Sequence, residues 1–223
     1  MNARSDRLFA ICGIAFVALQ LGGTFLAMAA GKTHDLTIGS STSGIARAIA
    51  HPVGAGVWAG AYMEMLSVCF FLAFAVWAAE RLGGGLLGST VKLAAAATAG
   101  GGIVSLGIIN VISYRAGHGM NLDVAKTLVT TGEAVYVGTW FLNATLLTAA
   151  SLLALRAGRR PIAWSALAIV VYTLVLTPLS VDNAGQFSQI LYLLWVVATS
   201  IALARRSSVP APGPVAAAAA QQA

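Results

Sequence analysis

Glu64 is the residue best placed to do chemistry, because it is the single charged residue between Trp58 and Ala79 in the apolar stretch 52–81. At 1.5 Å per residue it lies roughly 9 Å below the start of that run. A carboxyl at such a depth costs about 3 kcal/mol on insertion scales, so it marks either a functional site or a buried hydrogen-bonded pair. Further along, Glu133, Tyr136, Trp140 and Asn143 are spaced three, four and three residues apart. That spacing puts them on one polar and aromatic stripe of a helix. Asp182 stands in the polar connection SVDNAGQ, Asn110 precedes Tyr114 by one helical turn, and Gln189, Tyr192 and Trp195 cluster within another apolar run.

These residue types fit acid–base chemistry by carboxyls. Glu64, surrounded by apolar residues, is the candidate proton donor, and Asp182 or Glu133, nearer water, is the candidate ionised counterpart. Asn110, Tyr136, Trp140 and Tyr192 are candidate pocket-lining residues. The aromatic faces among them suit a cationic intermediate, although the same residue types also form interfacial belts. Other chemistries lack their residues. His34, His51 and His118 all lie outside the apolar runs, so no metal or haem site is expected, and no cofactor. GxSxG, HExxH, P-loop and dinucleotide patterns are absent, and Gly100 to Gly102 read as helix packing. Cys12 and Cys69 lie inside apolar runs without metal or redox spacing and read as small buried hydrophobes.

The elements that must position these residues are membrane spans. Hydrophobic residues make up 58% of the 223 and charged residues 9%, against about 25% charged in an average soluble domain. The mean hydropathy is +0.84. Six runs are long enough to cross a bilayer or nearly so: 8–30, 52–81, 93–114, 133–155, 161–178 and 187–204. The first run imitates a signal peptide but exceeds the roughly 7–15 apolar residues of one, so a retained helix is expected. Residues 31–51 read as a polar loop that includes a short interfacial helix at GIARAIAH, and LDVAKTLV at 122–129 reads as a short surface helix. The fold class expected is therefore all-α: a polytopic bundle of six transmembrane helices over residues 1–206, with a disordered Pro/Ala-rich cytoplasmic tail at 207–223.

The formal charge of +6 does not point to nucleic acid, because the basic residues sit at the ends of apolar runs. Six spans put Arg4, Arg7, Arg81, Lys92, Arg156, Arg159, Arg160, Arg205 and Arg206 on one side, nine of the thirteen. Lys32, Arg47, Arg115 and Lys126 fall on the other. By the positive-inside rule both termini are cytoplasmic. Glu64, Asn110, Glu133, Tyr136 and Gln189 then occupy the outer halves of their helices, so a site would open toward the outer face. On helix 52–81, Gly60, Ala61, Glu64, Ser67, Val68 and Phe71 share one face, and Gln20 and Thr24 share a face of the first helix. Small residues allow close helix approach, which directs Glu64 into the bundle.

The segments GEAVYVGTWFLNATLLTAASLLALRAGRRPIAWSALAIVVYTLV and LYLLWVVATSIALARR resemble an actinobacterial family of six-helix integral-membrane proteins without an assigned activity. That resemblance implies the architecture and a bacterial cytoplasmic membrane. The chain is also similar, more faintly, to the small integral-membrane terpene cyclases, which use an intramembrane Glu and a second acid on an isoprenoid. Glu64 and Asp182 stand where this likeness implies those acids. It departs from that pattern in helix number and in having Met63 and Met65 beside the Glu. The expectation is thus an integral-membrane acid–base enzyme, a cyclase or isomerase acting on a lipophilic substrate such as an isoprenoid. The competing class is non-catalytic: a small-solute or lipid carrier, or an accessory subunit of a membrane complex. The expected partners are membrane lipid and a lipophilic small molecule, with room for a homo-oligomer and none for nucleic acid.

Overall fold

The computed structural model describes residues 3–31, 33, 36–37, 39–176 and 184–206. Those residues form seven helices: α1 (Ala3–Ala30), α2 (Thr42–Ile49), α3 (Ala55–Arg81), α4 (Gly85–Arg115), α5 (Leu122–Arg156), α6 (Arg160–Leu176) and α7 (Ala184–Arg206). Five of them, α1, α3, α4, α5 and α7, are long and apolar enough to cross a membrane. At 17 residues α6 is shorter, roughly 25 Å at 1.5 Å per residue. The expected tail at 207–223 and the connection that holds Asp182 lie outside the described residues.

Six helices close a ring, each packed on the next in the order α1, α3, α4, α5, α6, α7 and back to α1. The short α2 is the amphipathic exception. It buries Ile45 and Ile49 against Ile112 of α4 and Ala125 and Val129 of α5 in a small cluster. Its N-terminus is capped by Ser41, whose side chain accepts from the Gly44 amide. A 2.8 Å hydrogen bond between the Thr33 and Ser113 hydroxyls ties the segment before α2 to α4, so the polar connection after α1 folds over one end of the ring.

Two boundaries differ from those expected. The segment 122–129 is the first part of a continuous 35-residue α5, not a separate surface helix. Gly132, which stands between that segment and the expected span at 133–155, is a contact point within the helix: the Ser105 hydroxyl donates to its carbonyl at 3.0 Å and a side chain there would press on Ile108. Likewise α4 begins at Gly85 rather than near Leu93. The reversal is confined to Gly83, Gly84 and Gly85, whose φ values of 125°, 60° and 66° suit glycine and few other residues. Within the expected Gly100–Gly102 patch only Gly101 packs closely, against Thr139 of α5, while Gly100 and Gly102 face open space.

A close backbone-to-backbone contact joins α1 to α3. A Cβ on Gly60 would lie 2.5 Å from the Gly23 carbonyl oxygen and 2.8 Å from Ala27, and one on Gly23 would lie 2.7 Å from the Gly60 carbonyl oxygen. Backbone cannot yield there as a flexible side chain would. At one end of the same pair Asp6, 1% exposed, accepts from Arg81 Nε at 2.8 Å and from the Trp77 indole at 3.2 Å. A second Arg81 nitrogen completes a bidentate ion pair. Sequence reading missed Asp6, which was hidden in a basic leader that looks like an ordinary orientation signal.

Two stability predictions follow from this pair of helices, both read by thermal unfolding in detergent monitored by circular dichroism. Asp6→Ala strands the Arg81 guanidinium and the Trp77 N–H and costs about 2–3 kcal/mol; an unchanged transition would contradict the buried pair. Gly60→Ala costs about 1–3 kcal/mol by overpacking, whereas Gly100→Ala gains up to about 1 kcal/mol from helix propensity. Equal effects at the two glycines would contradict the packing described.

Candidate functional site

Glu64 reaches the ring interior because the face of α3 that carries it is the one buried throughout: Gly60, Ala61, Glu64, Ser67 and Phe71 are all buried. The carboxyl is 5% exposed. Across the glycine contact the Thr24 hydroxyl donates to Glu64 Oε1 at 2.5 Å. One turn along, Ser67 Oγ lies 2.6 Å from the Glu64 carbonyl and 2.9 Å from Gln20 Oε1, so its one proton is shared between its own helix and α1. The Gln20–Thr24 face of α1 therefore meets the Gly60–Phe71 face of α3, and the closeness that glycine permits is what brings two short hydroxyl side chains within reach.

From the opposite side of the ring α5 brings its polar stripe. Tyr136 lies within electrostatic reach of both Glu133 and Glu64. Glu133 is half-buried on the turn before Tyr136. The Tyr136 and Trp140 rings meet edge to face with centroids 5.6 Å apart. Tyr136 lies beside the Trp140 indole N–H without closing a hydrogen bond that satisfies it. Deeper still, Trp140 and Asn143 border a small cavity between α5, α6 and α7, together with Thr173, Ser188, Gln189 and Tyr192. That cavity has a volume of about 10 Å³.

Of the residues singled out in the sequence, Glu133, Tyr136 and Trp140 adjoin one another on α5, while Glu64 is bonded to Thr24 of α1 and its charge is felt at the Tyr136 phenol. Tyr192 stands beside Phe71 of α3, ring centroids 6.3 Å apart, and borders the small cavity with Trp140. Asn110 is half-buried on α4 and its buried Oδ1 has no hydrogen-bond partner among the described residues, so it is not joined to these residues by that atom. Asp182 lies outside the described residues. Among the described residues no three His, Cys, Asp or Glu side chains converge as metal ligands would. The polar side chains that sequence reading passed over are the Thr173 and Ser188 hydroxyls, 2.5 Å apart. The signal for that pair was faint: Ser188 is one residue from Gln189.

The arrangement can hold and exchange a proton. Glu64 is buried and accepts from a hydroxyl donor, in an interior of low dielectric where such groups interact strongly. No family model, curated protein or solved structure matches the chain.

The hydroxyl contact gives a direct expectation. Thr24→Ser keeps the donor and leaves thermal stability close to wild type, while Thr24→Val removes it and costs about 1–3 kcal/mol. Equal transitions for the two variants would contradict the Thr24–Glu64 bond.

Proposed function

We propose that the protein crosses a bacterial cytoplasmic membrane six times, with α6 as its shortest span and both termini cytoplasmic, and that Glu64 serves as the proton-exchanging carboxyl of a small-solute carrier. Glu133 and Tyr136 are its connection toward the outer face. The observation that carries this reading is the burial of Glu64 at the α1–α3 contact, where its carboxyl accepts from Thr24. The charge bias of the flanking basic residues supports the orientation.

Space favours a carrier over an enzyme that folds an isoprenoid around itself. Pockets for drug-sized ligands are largely preformed and span roughly 300–1,000 Å³. The cavity beside Trp140 and Tyr192 is about 10 Å³, and a wider one of about 260 Å³, lined by Thr37, Ser40, Thr42, Ile45, Lys126 and Val129, is open rather than enclosed. A carrier passes through closed states between its open ones, so a closed interior suits it. The Thr24 bond favours a second reading, in which Glu64 is only the hydrogen-bonded clasp of α1 and α3.

The test compares wild type, Glu64→Gln and Glu64→Ala in vesicles that contain a pH-sensitive dye, challenged with a panel of small solutes. A carrier gives solute-driven proton flux in wild type that Glu64→Gln abolishes while its folding is unchanged, because a glutamine still accepts from Thr24 but exchanges no proton. Flux that survives Glu64→Gln, with folding lost only in Glu64→Ala, supports the clasp instead. In parallel, linear prenylated substrates are fed to cells carrying wild type or Glu64→Gln. A product of unchanged mass and altered retention, made only by wild type, would establish the membrane enzyme in place of the carrier.

A further inference from the structure

The cavity between α5, α6 and α7 is lined by three residues that each bury a polar atom with no hydrogen-bond partner among the described residues: Trp140 (Nε1), Asn143 (Oδ1) and Tyr192 (Oη). They are 6%, 9% and 4% exposed. Each unpaired group is expensive to bury, and three around a single small space is more than a native bundle leaves without a reason. The neighbouring hydroxyls do not serve them. Thr173 donates to the Ile169 carbonyl at 2.8 Å, so the proton in its 2.5 Å contact with Ser188 comes from Ser188.

The chemistry of the three atoms selects the ligand. An indole N–H only donates, an amide oxygen only accepts, and a phenol does either. A bare cation would meet the indole proton, and a halide or similar anion would meet the Asn143 oxygen. A neutral molecule that both donates and accepts satisfies all three. The cavity of about 10 Å³ is at the lower limit of about 10–15 Å³ for a single water. We infer that this cavity is a binding site for one structural water, which accepts from Trp140 Nε1, donates to Asn143 Oδ1 and is shared with the Tyr192 hydroxyl. The water has a mechanical role. Helices α5 and α7 are not direct neighbours in the ring and make at most marginal contact, so the bridge from Trp140 and Asn143 to Tyr192 ties them across the interior. It also extends the polar stripe of α5 beyond Tyr136. None of this depends on what Glu64 does.

The test uses the full chain in detergent and two readouts. In the first, brief hydroxyl-radical labelling in oxygen-18 water marks side chains beside bound water even inside a bundle. Tyr192 is expected to label faster than Phe74, an equally buried aromatic, 3% exposed, in the apolar core. In the second, Tyr192→Phe removes one hydroxyl and no packing. With a water in place the variant loses one of that water's partners, and its Tm falls by about 2–4 °C; in a dry cavity it removes an unpaired group, and the Tm holds or rises. Labelling of Tyr192 no faster than Phe74, or a Tm that holds or rises, overturns the proposal.

Discussion

Gly23 and Gly60 face each other so closely that the carbonyl of each occupies the place where a side chain on the other would begin. In lipid there is no hydrophobic force to drive two helices together, so close van der Waals approach and the hydrogen bonds it permits must do so. The α1–α3 contact supplies both. It sets α3 near enough for Thr24 to reach Glu64 and for Ser67 to reach Gln20, and at its far end the Asp6–Arg81–Trp77 group fixes how the two helices slide along each other. With that pair fixed, α4 packs beyond α3, and α7 packs beyond α1 through the Gly13–Ser200 contact. The ring then closes through α5 and α6.

What the ring encloses is unusual for an apolar chain. A bundle of six helices has more interior than two facing stripes can fill with aliphatic side chains, and here part of it is filled with Glu64, Tyr136, Trp140, Asn143 and Tyr192. Polar groups are costly at such a place unless they are paired with one another. Glu64 is bonded by Thr24, and the deeper groups meet around a space sized for one small molecule. The polar interior and the glycine contact belong together: the close approach excludes lipid, and that exclusion makes an interior proton donor or acceptor effective.

The faces that carry the site were legible because a helix repeats. Gln20 with Thr24, the Gly60 to Phe71 face and the Glu133 to Asn143 stripe each follow the helical period, and each turns inward. Asp6 was not legible, because one acid among basic residues near a helix start looks like solvated surface until Arg81 and Trp77 are brought beside it by a contact 75 and 71 residues away in sequence. The continuity of α5 was missed because Gly132 and its two preceding threonines look like a break. In the folded chain Gly132 lies against Ser105 and Ile108, and packing outweighs local propensity. The size of the interior could not be read at all, since a cavity is what remains after side chains from several helices have been placed.

The central claim is that Thr24 and Glu64 are energetically one unit, held by the glycine contact, and a double-mutant cycle measures this directly. Thr24→Val and Glu64→Met each remove one partner with little change in shape, and the cycle is read by thermal unfolding. The account predicts a coupling of about 1–3 kcal/mol, so that the double variant is more stable than the sum of the single losses implies. Losses that add within about 0.5 kcal/mol would contradict it, and would mean that Glu64 is held in the ring by other groups.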